Sequence, residues 1–187
     1  KNMESFFPQK ISFLGNGEIS CEMGDCSFTV HGFENDDLRG DVLLCYPERG
    51  NAQRLIRRNS AHNTILFTEK CDQLCVMCSQ PPKNSDYSWI FPHYMNAILL
   101  ADEGIRIGIS GGEPTLYLDP LLEILEKVAE DRPDISFHIL SNAQHISREY
   151  VERLRVIHGN LQVLWGIPLY SHKPELHDEI VGKEGAF

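Results

Sequence analysis

The stretch that decides the fold lies between residues 63 and 82. It reads Asn63-Thr-Ile-Leu-Phe-Thr68, Glu69-Lys70, Cys71-Asp-Gln-Leu-Cys75-Val-Met-Cys78 and Ser79-Gln-Pro-Pro82. The first six residues are rich in β-branched and aromatic side chains and predict a strand. That strand opens into a loop carrying three thiols. Gln80-Pro81-Pro82 rules out a regular helix there and closes the loop. Beyond it, strand and helix alternate. A helix is expected from near Pro92 through Met95, Ile98 and Leu99 towards Ala101, then a strand over 105–110 with Gly111-Gly112 as its turn. Asp119-Pro120 reads as an N-cap followed by Pro at the first helical position, opening a helix with Leu121, Leu122, Leu125 and Val128 on one side. Residues 135–140 are the next strand, and Ser147 is expected to cap a helix through Val151, Leu154 and Ile157. A fourth strand follows over 161–167, and Pro174 starts a last short helix. Regular alternation implies right-handed βαβ units and a parallel sheet, an α/β fold.

Upstream of residue 62 the rhythm differs. Short apolar runs at 11–14, 27–30, 41–46 and 53–56, punctuated by turns such as Gly15-Asn16-Gly17, predict a small β-rich unit over 1–60. The α/β part then occupies 61–187. The acid-rich run 34–37 reads as a solvated turn. A length of 187 residues with 42% hydrophobic and 24% charged residues suits one domain plus an appendage. Seventeen Lys and Arg against 27 Asp and Glu leave a net charge of -10, a surface that repels phosphate backbones, so nucleic acid is not an expected partner. No apolar run approaches the roughly 20 residues of a membrane helix. The best candidate, 161–170, is short and contains Gly166 and Pro168. The N-terminus lacks the apolar stretch of a secretory signal. A reducing, cytoplasmic setting is therefore expected, in which clustered cysteines signal metal or redox chemistry rather than disulfides. Cys21 and Cys26 read as structural.

In βα architectures the loops after the strands' C-terminal ends carry the active site. Those loops hold, in order, the three cysteines, Gly111-Gly112-Glu113-Pro114, Ser141-Asn142-Ala143 and Leu169-Tyr170-Ser171. They are expected to meet at one rim. Three thiolates fall one short of a tetrahedral structural zinc site, which Cys45 or His62 could complete. They also suit a [4Fe-4S] cluster with one iron left open. Inert cysteines fit poorly with such close spacing on a Pro-terminated loop. Taken alone, Gly111-Gly112-Glu113-Pro114 is a plain Gly-rich turn and Ser141-Asn142 a polar one. His62 and His138, in or beside strands, read as packing residues. His172 and His177, flanking Pro174, read as solvated.

The Cys-x3-Cys-x2-Cys spacing followed one βα unit later by Gly-Gly-Glu-Pro resembles the radical S-adenosylmethionine (SAM) superfamily. That resemblance implies a partial (β/α) TIM-like barrel in which Cys71, Cys75 and Cys78 hold three irons of a [4Fe-4S] cluster. The fourth iron would bind the amino and carboxylate groups of S-adenosylmethionine, whose sulfonium bond is cleaved reductively to give a 5′-deoxyadenosyl radical. Glu113 would accept hydrogen bonds from the cofactor's amino group, with Gly111, Gly112 and Pro114 completing that binding segment. Met77 stands where the superfamily often has an aromatic residue near the adenine, so its backbone would make that contact. Ser141 and Asn142 match positions contacting the ribose or the methionine carboxylate, and Tyr170 and Ser171 would touch ribose or substrate.

A narrower set of segments is similar to the radical maturase of the His-Xaa-Ser repeat peptide-modification systems. They are His62-Asn63-Thr64, the loop through Met77-Cys78-Ser79-Gln80-Pro81-Pro82-Lys83, Gly111 to Thr115, Ile139 to Asn142, Ile167 to Ser171 and Gly185-Ala186-Phe187. This implies a ribosomally made peptide or small protein as substrate and an electron donor such as a flavodoxin or ferredoxin. The superfamily's six-strand partial barrel is matched here by four recognisable strands, so the chain is expected to be truncated at its C-terminal end. Two rivals are a glycyl-radical-enzyme activase, which shares both motifs, and a metal-stabilised peptide-binding module without turnover.

Overall fold

The computed structural model describes residues 38–46 and 49–187, together with the backbone of three short strands before them. Those strands, β1 (Ile11–Gly15), β2 (Glu18–Cys21) and β3 (Ser27–Thr29), form an antiparallel sheet in the order β1-β2-β3. Asn16 and Gly17 of the expected turn, Cys26 and the acidic run 34–37 lie outside the described residues, and of Cys21 only the backbone is described. β2 was not expected: at four residues, with Glu, Ser and Cys beside one Ile, it carries too little apolar pattern to announce a strand. A second hairpin pairs β4 (Val42–Tyr46) with β5 (Asn51–Ile56). Its Val42 and Ile56 are buried in the same core as the α/β part. The residues before 60 thus supply two sheets, the second of which packs on the α/β core.

The α/β part is a four-stranded parallel sheet in the order β6 (Asn63–Thr68), β7 (Arg106–Gly111), β8 (Ser136–Leu140), β9 (Gln162–Gly166). Each strand follows the last in sequence, with a helix between each pair: α1 (Phe91–Leu99), α2 (Leu118–Asp131) and α3 (Val151–Asn160). A last helix, α4 (Pro174–Val181), follows β9 and ends at Gly182, whose φ of 64° is the left-handed conformation of a helix C-cap. Period-two alternation divides the sheet's faces. Ile65, Phe67, Ile107, Ile109, Phe137 and Ile139 are buried in one core with Leu121, Leu122, Leu125 and Val128 of α2. On the other face Leu66, Leu140 and Leu164 stay exposed. Phe67 stacks on Phe91 with ring centroids 4.5 Å apart, fixing α1 on β6. Beside them the Tyr94 hydroxyl donates to the Leu66 carbonyl at 2.9 Å, and burial pushes its pKa up to about 12.

Two expected caps differ. α2 begins at Leu118, after a 3-10 turn over Pro114–Tyr117, so Asp119 sits in its first turn and Pro120 within the helix. The reason is Glu113, whose carboxylate accepts from the Thr115 N–H and starts the helical backbone at Pro114, ahead of the expected Pro120. Asp119 instead pairs with Arg153 of α3 at 2.8 Å. Ser147 precedes another 3-10 turn, Arg148–Tyr150, but its hydroxyl donates to Glu149 rather than capping backbone. The four parallel strands form an open sheet, consistent with part of a TIM-like barrel. Among the described residues no helix is long and apolar enough to cross a membrane.

Candidate active site at the C-terminal rim of the sheet

All three cysteines lie on the loop after β6. Its base is closed by the Lys83 N–H donating to the Glu69 carbonyl at 2.9 Å and by the Lys83–Glu69 ion pair at 2.6 Å. Its tip is held from outside: the Leu74 and Val76 N–H groups donate to the Val181 and Ile180 carbonyls at 2.9 and 3.0 Å, tying the loop to the end of α4. Cys71 and Cys75 are half-buried and Cys78 is exposed. Burial pushes the Cys71 and Cys75 thiols up. A metal binding here therefore has protons to displace.

The glycines after β7 fit against this loop. The Gly112 N–H donates to the Thr68 carbonyl and the Glu113 N–H to the Lys70 carbonyl, both at 2.7 Å. A Cβ on Gly112 would overlap the Lys70 carbonyl oxygen, and one on Gly111, whose φ is 125°, would overlap that of Thr68. Both positions need glycine because one rim loop lies against another.

Glu113 is 2% exposed, and its carboxylate knits the next loop in. Oε1 accepts from the Thr115 N–H (2.8 Å), the Thr115 hydroxyl (2.5 Å) and the Ser141 hydroxyl (2.7 Å); Oε2 accepts from the Asn142 N–H at 2.6 Å. Four protein donors hold it, so only Oε2 keeps acceptor capacity to offer a ligand. Ala143 follows with φ 58°, the one described non-glycine residue in the left-handed region. Its N–H donates to the Ser141 hydroxyl at 2.8 Å.

These loops enclose a cleft of about 600 Å³, lined by Cys71, Cys75, Met77, Cys78, Gly111, Gly112, Glu113, Ser141, Asn142 and Tyr170, among others. Pro114 and Ser171 are not in that lining; Pro114 is buried as the first residue of its 3-10 turn. Gln73 and Leu140 line the cleft unannounced, since neither residue type signals chemistry in a sequence. A second hollow of about 470 Å³ sits at the opposite end of the strands, among Arg58, Asp102 and Arg106, and holds none of the expected residues.

The histidines divide. His172 is exposed as expected, but His177 is buried, against expectation. Its Nδ1 accepts from the Tyr170 N–H at 3.3 Å, and its ring stacks on Tyr170 and meets Phe187 edge-on. It thus holds the rim loop after β9. A sequence shows His177 only as one of two polar residues flanking a proline, because its aromatic neighbours arrive through the fold. His62 is exposed rather than packed, because it precedes β6 and lies outside the core. The length of β6, about 20 Å, separates His62 from the cysteine loop, and neither it nor Cys45 of β4 lines the cleft. Neither is grouped with the three cysteines as the fourth ligand of a tetrahedral zinc site would be.

Among the described residues no three His, Cys, Asp or Glu side chains are grouped as a cage for a single metal ion. The Cys78 thiol donates to the Gln80 carbonyl at 3.0 Å, and the Cys75 sulfur lies 3.7 Å from Gln73 Oε1. The donor set still fits a four-iron cluster. Cys71, Cys75 and Cys78 line one cleft, and three thiolates there would hold such a cluster with one iron left open.

One residue absent from the sequence-based candidates is Asp72. Its Oδ1 accepts from Asn142 Nδ2 at 3.0 Å; its Oδ2 lies 3.1 Å from His145 Nε2 and accepts from the Lys183 ammonium. Burial alone would raise its carboxyl, but the bonds from Lys183 and Asn142 outweigh that and hold it below the ordinary carboxylate range. The available signal was a lone charge inside the cysteine loop.

A family model described as the radical SAM superfamily matches residues 65–187, which run from within β6 to the last residue and include every cleft residue named above. No curated protein matches the chain.

Proposed function

Since the chain belongs to the radical SAM superfamily, whose members typically use a [4Fe-4S] cluster and S-adenosylmethionine, we propose that it binds both in the rim cleft and modifies a ribosomally made peptide or small protein. The observation that carries this reading is the cleft itself, where the three cysteines, the Gly-Gly-Glu turn and Ser141-Asn142 line one space. Cys71, Cys75 and Cys78 would hold the cluster. When bound, the reduced cluster supplies the electron that splits the cofactor's sulfonium bond and yields a hydrogen-abstracting radical.

This chain's residues orient and shield. The Gly111-Gly112 turn brings backbone to the cleft wall without side chains. Glu113 Oε2 offers one acceptor position, suited to the cofactor's amino group. Ser141 and Asn142 present polar groups for the ribose or carboxylate, and Met77, half-exposed at the lining, covers the adenine side with backbone and thioether. The polypeptide substrate rests on the likeness of 62–187 to His-Xaa-Ser maturases, and a flavodoxin- or ferredoxin-like donor would supply the electron.

The test is anaerobic reconstitution with iron and sulfide, then dithionite and S-adenosylmethionine, with 5′-deoxyadenosine read by mass spectrometry. Product is expected from the parent and none from Cys75→Ala. An intact cluster without product would refute turnover by this chain. A chain that takes up no iron would instead favour a peptide-binding module.

A further inference from the structure

Asp72 neither lines the cleft nor donates a thiolate, yet three segments of the rim meet at its carboxylate. It stands directly after Cys71. From the loop after β8, Asn142 donates its amide to Oδ1 and His145 approaches Oδ2. From the residues after α4, Lys183 donates to the same Oδ2. The side chains of Asp72, Lys183 and His145 are 21%, 32% and 35% exposed, so these contacts are only partly screened by solvent.

Each arm has a consequence. The Asn142 amide is held at both ends: its Nδ2 donates to Asp72, and its Oδ1 accepts from the Gln144 N–H at 3.0 Å. Asn142 lines the cleft, and its own N–H donates to Glu113, so its orientation reaches the cleft wall. The Lys183 arm reinforces the two backbone bonds between the cysteine loop and Val181 and Ile180. Between those carbonyls and Lys183, Gly182 lies close to Leu74: a Cβ there would sit 2.9 Å from the Leu74 carbonyl oxygen. The end of α4 and the cysteine loop thus form a tight contact with an ion pair at its margin.

We propose that Asp72 is a positioning residue, locking the cysteine loop, the Ser141-Asn142 loop and the residues after α4 into one unit that shapes the cleft before any ligand binds. What the cleft binds rests on the function proposed above; the lock does not.

Hydrogen–deuterium exchange on the full chain without iron tests the lock directly, comparing the parent with Asp72→Ala, Asp72→Asn, Lys183→Met and Lys183→Arg. Asp72→Ala should speed exchange about tenfold over 71–80 and 141–146, the equilibrium equivalent of one charge-assisted hydrogen bond. Asp72→Asn keeps an oxygen for Asn142 but loses the charge, so it and Lys183→Met should loosen 71–80 alone. Lys183→Arg should stay near the parent. In reconstituted protein, iron per chain should hold in Asp72→Ala, whose cysteines are intact, while S-adenosylmethionine affinity by equilibrium dialysis falls about tenfold. Parent-like exchange in both Asp72→Ala and Lys183→Met overturns the lock. So does a uniform rise that includes α2, which would be general destabilisation. Unchanged affinity with loosened loops overturns the shaping of the cleft. A parent that binds neither iron nor S-adenosylmethionine refutes the proposed function, and the exchange pattern still decides the lock.

Discussion

Glu113 and Gly112 show how much of the rim hangs on single residues. A carboxylate that is 2% exposed and accepts from four donors cannot be removed without leaving those donors buried and unpaired. Glu113→Ala is expected to cost about 3–5 kcal/mol, read by urea unfolding of the iron-free chain. Glu113→Gln should also destabilise, because an amide has fewer acceptor positions than a carboxylate and whichever edge carries the NH₂ faces a donor. Gly112→Ala fails for a different reason: its methyl would meet the Lys70 carbonyl, which is backbone and cannot swing aside. A loss of about 2 kcal/mol or more is expected, with reduced iron uptake on reconstitution, since the displaced strand end leads directly into Cys71.

At the scale of elements, the layers are joined by a few side chains at helix ends. Arg132, just after α2, donates to the Leu99, Ala101 and Asp102 carbonyls at 2.9, 2.8 and 3.2 Å and grips both oxygens of Asp134 at 2.8 and 2.7 Å. It thereby closes the end of α1 over the turn that enters β8. Arg132→Ala should cost about 2 kcal/mol, measured by denaturant unfolding. The Arg132 hydrogen bond, with help from the Gly104 N–H, holds the Asp134 carboxyl well below the ordinary carboxylate range. A carboxyl lowered on folding stabilises above its unfolded pKa of about 3.9, and that contribution is lost as the pH falls through the lower folded value. Asp134→Asn should therefore lower the thermal midpoint at pH 7, and the gap to the parent should close as the pH drops below about 4. Asp134 is 29% exposed, so solvent keeps the effect small. Inside the layers, Leu125 of α2 is fully buried, and Leu125→Ala should cost about 3 kcal/mol by the same unfolding measurement.

At the scale of the whole molecule, the cleft is assembled from residues far apart in the chain, so filling it should stabilise all of it. A ligand that binds only the folded chain raises its unfolding midpoint. Reconstitution with iron and sulfide should therefore raise the midpoint of the parent, chelation should reverse the rise, and the triple change Cys71→Ala, Cys75→Ala, Cys78→Ala should abolish it. The order of strands and helices after residue 62 was legible in the sequence, because apolar period and turn residues are local signals that the sheet then satisfies. So was the placing of Cys71, Glu113 and Asn142 on successive loops, since parallel strands bring their C-terminal ends to one rim. Helix starts were less legible: Asp119-Pro120 carried the better local cap, and Glu113 displaced it only because the fold buries that carboxylate beside Ser141. Likewise His177 and Asp72 look like surface polar residues until α4 folds back on the cysteine loop. The alternation of elements, the parallel sheet and the loops that carry thiols, glycines and acid are all written in the chain, because spacing along it encodes them. Which of those groups bond to one another is settled by the folded chain, since hydrogen bonds such as that from Lys183 to Asp72, 111 residues apart, depend on where folding brings the segments together.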